Sequence, residues 1–276
     1  MSLAFTSTLK AFLRSYTLLF VVSLINVNFC FAQNLGGSFT IDFGYLATMV
    51  KDTRHSSIFR TCQGGNSTLS YSIQGEKSAN ALGFGLSFAV GDRDGNIVTS
   101  VFAIEMRMFY EHLRTLRNKN WQLGAYIDYG VFLTDRDGGY WFGFDDDPSF
   151  SYVMWTSFGL SGKYQKSLGE NWLLNVKTAL PLFAFTERPA YAFVFPEDHY
   201  VLKDYYSLLL QSEYFERAQF RPFTQFTNLQ FQTGLQRKLG QRGNSIGFNY
   251  KWNYLFAGGV KPLFKFNHQL GIALSI

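Results

Sequence analysis

From Phe264 to Ile276 the chain alternates residue by residue. Phe264, Phe266, Leu270, Ile272, Leu274 and Ile276 share one parity, and Lys265, Asn267, Gln269, Gly271, Ala273 and Ser275 share the other. Successive side chains of a strand point to opposite faces, so this segment reads as a strand with one apolar and one polar face. A soluble sheet shows such a pattern once or twice. Here it recurs along most of the chain, with aromatics crowded on the apolar parity, and that recurrence predicts an all-β fold, a transmembrane antiparallel β-barrel.

The beginning of the chain agrees with that address. Lys10 and Arg14 precede an apolar stretch from Tyr16 to Val27, and Ala32 closes a small-x-small-like cleavage site. Residues 1–32 therefore read as a signal peptide, which leaves 33–276 as a single barrel domain. A transmembrane helix competes, but Ser15, Ser23, Asn26 and Asn28 interrupt the apolar run. Lipid attachment at Cys30 lacks the small residues before it that a lipoprotein motif needs.

The formal charge of +5 falls to +3 once Lys10 and Arg14 leave with the leader, which is no charge for a nucleic-acid partner. Only Cys62 remains beyond the leader, so an internal disulfide or a thiolate metal cluster is not expected. The mean hydropathy of −0.04 suits a barrel, whose alternation hides its apolar face from an average.

Ten segments carry the period of two, each long enough to cross a membrane as a tilted strand. They are 39–51, 67–75, 81–91, 99–113, 121–133, 151–165, 172–186, 227–238, 245–256 and 264–276, with even-numbered residues outward in the sixth and seventh. Connections alternate in length. Residues 76–80, 114–120, 166–170 and 240–244 are short, whereas 52–66, 135–150 and 187–226 are long. Short periplasmic turns and long external loops are the rule for bacterial barrels, so both termini are expected in the periplasm. The segment 187–226 could add two strands, giving twelve. It could also start a helix at Pro196-Glu197-Asp198, or form a loop that caps or enters the barrel.

Four sequence features resemble a family of Bacteroidota outer-membrane barrel proteins of unassigned function. They are Leu180-Pro181-Leu182; the segment with Pro189, Tyr191 and Pro196; Phe226-Thr227-Asn228-Leu229; and Asn267-His268-Gln269-Leu270-Gly271-Ile272. The resemblance implies an integral barrel of the cell outer membrane in a Gram-negative envelope and brings no catalytic residues with it. Ile276 departs from the Phe or Trp that many such barrels place last for the outer-membrane assembly machinery.

Ionisable residues on the inward parity are the first candidates for chemistry: Asp42, Glu105, Arg107, Glu111, Asp128, Lys163, Lys177, Lys251 and Lys265. They predict a lumen with facing charges, which serves either as a charge-selective constriction or as a paired network that fills a narrow interior. Tyr140, Trp141, Phe142 and Phe144 form an aromatic cluster in an external loop, costly to expose and suited to a protein partner. Asp145, Asp146 and Asp147 are candidate ligands for a hard cation or partners of divalent ions that bridge lipopolysaccharide, though their spacing matches an ordinary turn and no EF-hand. No metal site and no cofactor is assigned. His112 and His268 fall on the outward parity, with Tyr254, Phe256 and Met49 expected beside His268.

The leading expectation is a small, porin-like channel or transport protein with a charged narrow lumen, bathed in outer-membrane lipids. The alternatives are a closed structural or partner-binding barrel, such as a secretion accessory, and an outer-membrane lipid hydrolase or protease, whose basis is the scattered histidines.

Overall fold

The structure, a computed structural model, describes residues 37–53, 59–93, 96–136, 149–188, 193–194, 218–240, 244–259 and 261–276. The strands are β1 (Gly37–Asp52), β2 (Arg60–Gln74), β3 (Ser78–Arg93), β4 (Asn96–Thr115), β5 (Trp121–Arg136), β6 (Ser149–Leu168), β7 (Trp172–Glu187), β8 (Phe193–Val194), β9 (Gln219–Pro222), β10 (Phe226–Leu239), β11 (Asn244–Ala257) and β12 (Leu263–Ser275). All ladders are antiparallel. The hydrogen-bonded order runs β6-β5-β4-β3-β2-β1-β12-β11-β10-β7, and β6 pairs with β7 to close the ring.

The barrel thus has ten wall strands. The two short pieces do not raise the count to twelve: β8 pairs only with Ser149 and Phe150 of β6, and β9 pairs only with Phe183–Thr186 of β7. Closure leaves no wall edge unpaired, which is what a lipid environment demands of a sheet.

Alternation builds the wall. Phe43, Tyr45, Leu82, Phe84, Leu86, Met108, Leu123, Ile127, Leu160, Leu182, Phe248, Leu270 and Ile272 are exposed on the outer face. On the inner face Asp42, Glu105, Glu111, Asp128, Asn228, Asn253, Lys265 and Asn267 are buried. A polar inside and an apolar outside invert the soluble pattern and define a transmembrane barrel. Aromatic pairs ring both ends. Trp121 and Tyr164 meet at 4.8 Å on the side of the short turns, and Tyr254–Phe266 and Phe256–Phe264 at 4.8 and 5.1 Å on the other.

Both ends of the described chain lie on the short-turn side, since Phe39 and Ile276 exchange backbone hydrogen bonds of 2.9 and 2.8 Å. Gly169 and Gly240 make two of those turns with φ of 76° and 69°, the left-handed region that glycine enters without cost.

Two expectations change. The second strand begins at Arg60, so the 52–66 connection shrinks to 53–59 and the strand expected at 67–75 is fifteen residues long. Its Gly64, Gly65, Asn66 and Ser67 blur the alternation, yet Gly64 is required where it stands, because a Cβ there would lie 1.9 Å from the Phe88 carbonyl oxygen. In β7 the register shifts opposite Phe158 and Gly159, so the parity reverses after Leu182. Ala184 and Thr186 consequently face inward and Phe183 and Phe185 outward, against the assignment of even-numbered residues to the outside. A bulge of one residue flips every side chain beyond it. The proposed helix start at Pro196 and any extended stretch from Tyr205 to Glu216 lie outside the described residues.

Candidate functional site

The lumen is the site, and it has two halves. On the long-loop side the inward positions turn apolar: Leu46 and Val50 of β1, Cys62 of β2, Ala89 of β3, Val101 and Ala103 of β4, Phe132 of β5, Val153 and Trp155 of β6, Ala184 of β7, Phe226 of β10, Leu255 and Ala257 of β11, and Leu263 of β12. These side chains form one buried cluster across the barrel. Trp155, Val153, Cys62, Phe226 and Leu255 are each 0% exposed, so solvent does not reach these side chains. The Trp155 and Phe226 rings lie 6.1 Å apart. Gly130 makes room for the indole, since a Cβ at that position would lie 2.1 Å from Trp155 Cζ2.

Beneath the apolar layer sits a polar hub. Asp128 receives Arg107 at 2.8 and 3.0 Å on Oδ1, while its Oδ2 accepts the Trp155 indole N–H at 2.9 Å and the Asn228 amide at 2.8 Å. Asn253 in turn donates to Asn228. Each oxygen of a fully buried carboxylate is thereby engaged, the condition under which a charge is tolerated away from water.

Three further pairs cross between strands. Lys265 Nζ meets Glu105 Oε2 at 2.6 Å, inside the apolar layer and over the Phe132 ring at 4.4 Å. Lys251 Nζ meets Asp42 Oδ2 at 3.0 Å, and Lys177 Nζ meets Glu111 Oε2 at 2.8 Å. Ser161 donates to the other oxygen of Glu111, and Asn249 to Asp42. Eight of the nine inward ionisable residues are therefore joined in four ion pairs. Lys163 is the ninth, and among the described residues it makes no ion pair.

A cavity of about 130 Å³ opens between these pairs, with Asn66, Arg107, Glu111, Lys177, Lys251 and Gln230 on its wall. Toward the short turns the inner face is amide-rich. Gln165 donates to Asn175 at 2.7 Å and Asn175 to Gln236 at 3.0 Å, and these side chains are half-buried. The described lumen is thus a vestibule on the short-turn side and a buried apolar layer on the long-loop side.

The sequence reading did not find the pair at the long-loop mouth. Arg188 bonds Asp52 Oδ1 at 2.8 Å and the Ala257 carbonyl at 3.0 Å. Asp52 continues the inward parity of β1, and Arg188 continues that of Ala184 and Thr186, so the signal was visible once the β7 bulge is placed.

The histidines are on the outer face as expected. His112 Nδ1 and the Tyr110 hydroxyl both reach Asn80 Oδ1, at 2.8 and 3.0 Å. His268 Nδ1 and the Tyr250 hydroxyl are hydrogen bonded at 2.7 Å, and its cross-strand partners are Trp252 and Ala47. The expected neighbours Tyr254 and Met49 instead flank Phe266, and Phe256 pairs with Phe264, because the register sets Trp252 and Ala47 opposite His268. Among the described residues neither histidine bonds a serine or a carboxylate, and no three His, Cys, Asp or Glu side chains converge as metal ligands. Tyr140, Trp141, Phe142, Phe144, Asp145, Asp146 and Asp147 lie outside the described residues.

By its closed wall, apolar exterior and partly polar interior, the chain is a transmembrane β-barrel. No protein-family model and no curated protein sequence matches it. The outer-membrane protease OmpT of Escherichia coli aligns over 87% of this chain and 95% of its own, with 10% identity and a TM-score of 0.49. The translocator domain of the autotransporter NalP from Neisseria meningitidis aligns over 92% and 96%, with 9% identity and a TM-score of 0.42. Ail, the attachment invasion locus protein of Yersinia pestis, aligns over 87% and 99%, with 11% identity and a TM-score of 0.33. These likenesses are of barrel type alone, and the closed ring stands on its own strand pairings.

Proposed function

We propose that the chain is an integral protein of the cell outer membrane whose barrel does not conduct at rest. It acts as a membrane-anchored scaffold, with its long loops outside and its vestibule open to the periplasm. The single observation behind this reading is the apolar layer, in which inward residues contributed by all ten wall strands meet with no exposed surface at Trp155, Val153, Cys62, Phe226 and Leu255. A resting pore needs a wetted path, and an apolar constriction of this kind excludes water.

Cys62 offers the test, because it sits in the layer. In protein purified from membranes, a water-soluble maleimide leaves Cys62 unmodified, as read by peptide mass, and modifies it fully after denaturation. Comparable labelling of the native and denatured protein overturns the reading.

In this account the loops, including the aromatic cluster at Tyr140 to Phe144, meet a protein partner or lipopolysaccharide at the outer face. A second reading, a small channel with a charged narrow lumen, draws on the charged vestibule. It requires the apolar layer to part, and it predicts steady conductance whose ion selectivity changes on reversing the charge at Lys177 or Lys251.

A further inference from the structure

We propose that the vestibule on the short-turn side binds a small oxyanion, a phosphate or carboxylate group carried by a compact solute, with Arg107, Lys177 and Lys251 as its contacts and Lys163, across the ladder from Lys177, adding to the positive field. This does not rest on the lumen being closed, because the site lies on the turn side of the apolar layer whether or not that layer opens.

The ladder sets Lys163 of β6 directly across from Lys177 of β7. Like charges directly opposite on one face of a sheet repel and destabilise it, so the arrangement calls for a counter-charge between them. The described residues do not supply enough. Glu111 is the carboxylate within electrostatic reach of both lysines, but its two oxygens are taken by Lys177 at 2.8 Å and by Ser161. Among the described residues on this side of the apolar layer, Arg107, Lys163, Lys177 and Lys251 face three carboxylates, Asp42, Glu111 and Asp128, so one cation is in excess.

The cations are also the groups that meet open space. The side chains of Arg107, Lys177 and Lys251 are 20%, 28% and 19% exposed, whereas those of Asp128, Glu111 and Asp42 are 0%, 6% and 7% exposed. The carboxylates stand behind, holding the cations in place, and the cations present their free hydrogens to the cavity of about 130 Å³. That space suits one small oxyanion with its waters. An oxyanion there gains charge-assisted hydrogen bonds in a region of low dielectric.

Titration calorimetry of the full barrel in detergent at low ionic strength tests this, with inorganic phosphate and, separately, succinate as probes. One saturable site for either probe, weakening as salt is added, is the expected result. Preference for phosphate or for succinate identifies the group recognised. Lys163→Gln should weaken binding about tenfold, which corresponds to about 1.4 kcal/mol, and Lys163→Arg should retain it. Among the described residues Lys163 is in no ion pair, so its neutralisation leaves the wall intact, and unchanged circular dichroism verifies that. No saturable binding of either probe, or equal affinity in Lys163→Gln, overturns the proposal.

Discussion

Trp155 donates its indole N–H to Asp128 Oδ2 at 2.9 Å, and this bond joins the dry layer of the barrel to its charged hub. The indole is fully buried and so is the carboxylate, which Arg107 and Asn228 also engage. Sealing and charge placement are therefore one structural device, and substitutions on either side separate them.

Trp155→Ala removes a fully buried aromatic ring and deprives Asp128 of a donor. Losses of this kind cost about 3–5 kcal/mol. Trp155→Phe keeps most of the packing and loses chiefly the hydrogen bond, about 1–2 kcal/mol. Denaturant unfolding of the three proteins in the same detergent ranks wild type above Trp155→Phe above Trp155→Ala.

Asp128→Asn leaves Arg107 without its counter-charge in a confined site, and breaking such a pair from one side costs about 3–5 kcal/mol. Arg107→Gln in the same protein removes the stranded cation. The double variant should then be more stable than the sum of the two single losses implies, because contacting residues are not additive. A double-mutant cycle by chemical unfolding measures that coupling, and strict additivity contradicts the hub.

Gly130→Ala places a methyl group against the Trp155 ring, whose buried position gives it nowhere to move. Gly85→Ala is the control, since a Cβ there finds nothing nearer than Thr68 Oγ1 at 3.6 Å. Overpacking costs about 1–3 kcal/mol. Gly130→Ala should lower the unfolding midpoint and raise Cys62 reactivity, and Gly85→Ala should do neither.

The alternation made the barrel legible because lipid on one side and a narrow polar interior on the other enforce a strict period of two on every wall strand. Turn and loop lengths then set the parity of the strands and the side of the described ends, while the choice between ten and twelve strands needed the pairing partners of β8 and β9. Glycines hid the start of β2, where Gly64 and Gly65 carry no side chain to show a parity. A bulge hid the inward path of Ala184, Thr186 and Arg188, because a one-residue shift is invisible without the pairing partner. The inward ionisable residues were readable from parity, yet their partners were not, since Glu111 and Lys177 stand 66 residues apart and meet only across the lumen. The apolar layer escaped notice for a different reason. Leu46, Val50, Phe132 and Trp155 fall on the parity where a barrel is expected to be polar, so a reading that sorts faces by polarity passes over apolar residues that face inward.

Planar-bilayer recording tests the central claim most directly, using protein purified from membranes beside a variant with residues 189–217 replaced by a short turn. The seal described here is built by the wall, so neither protein should conduct. Steady conductance from the intact protein would contradict the account, and conductance from the shortened variant alone would move the seal from the wall to the loop.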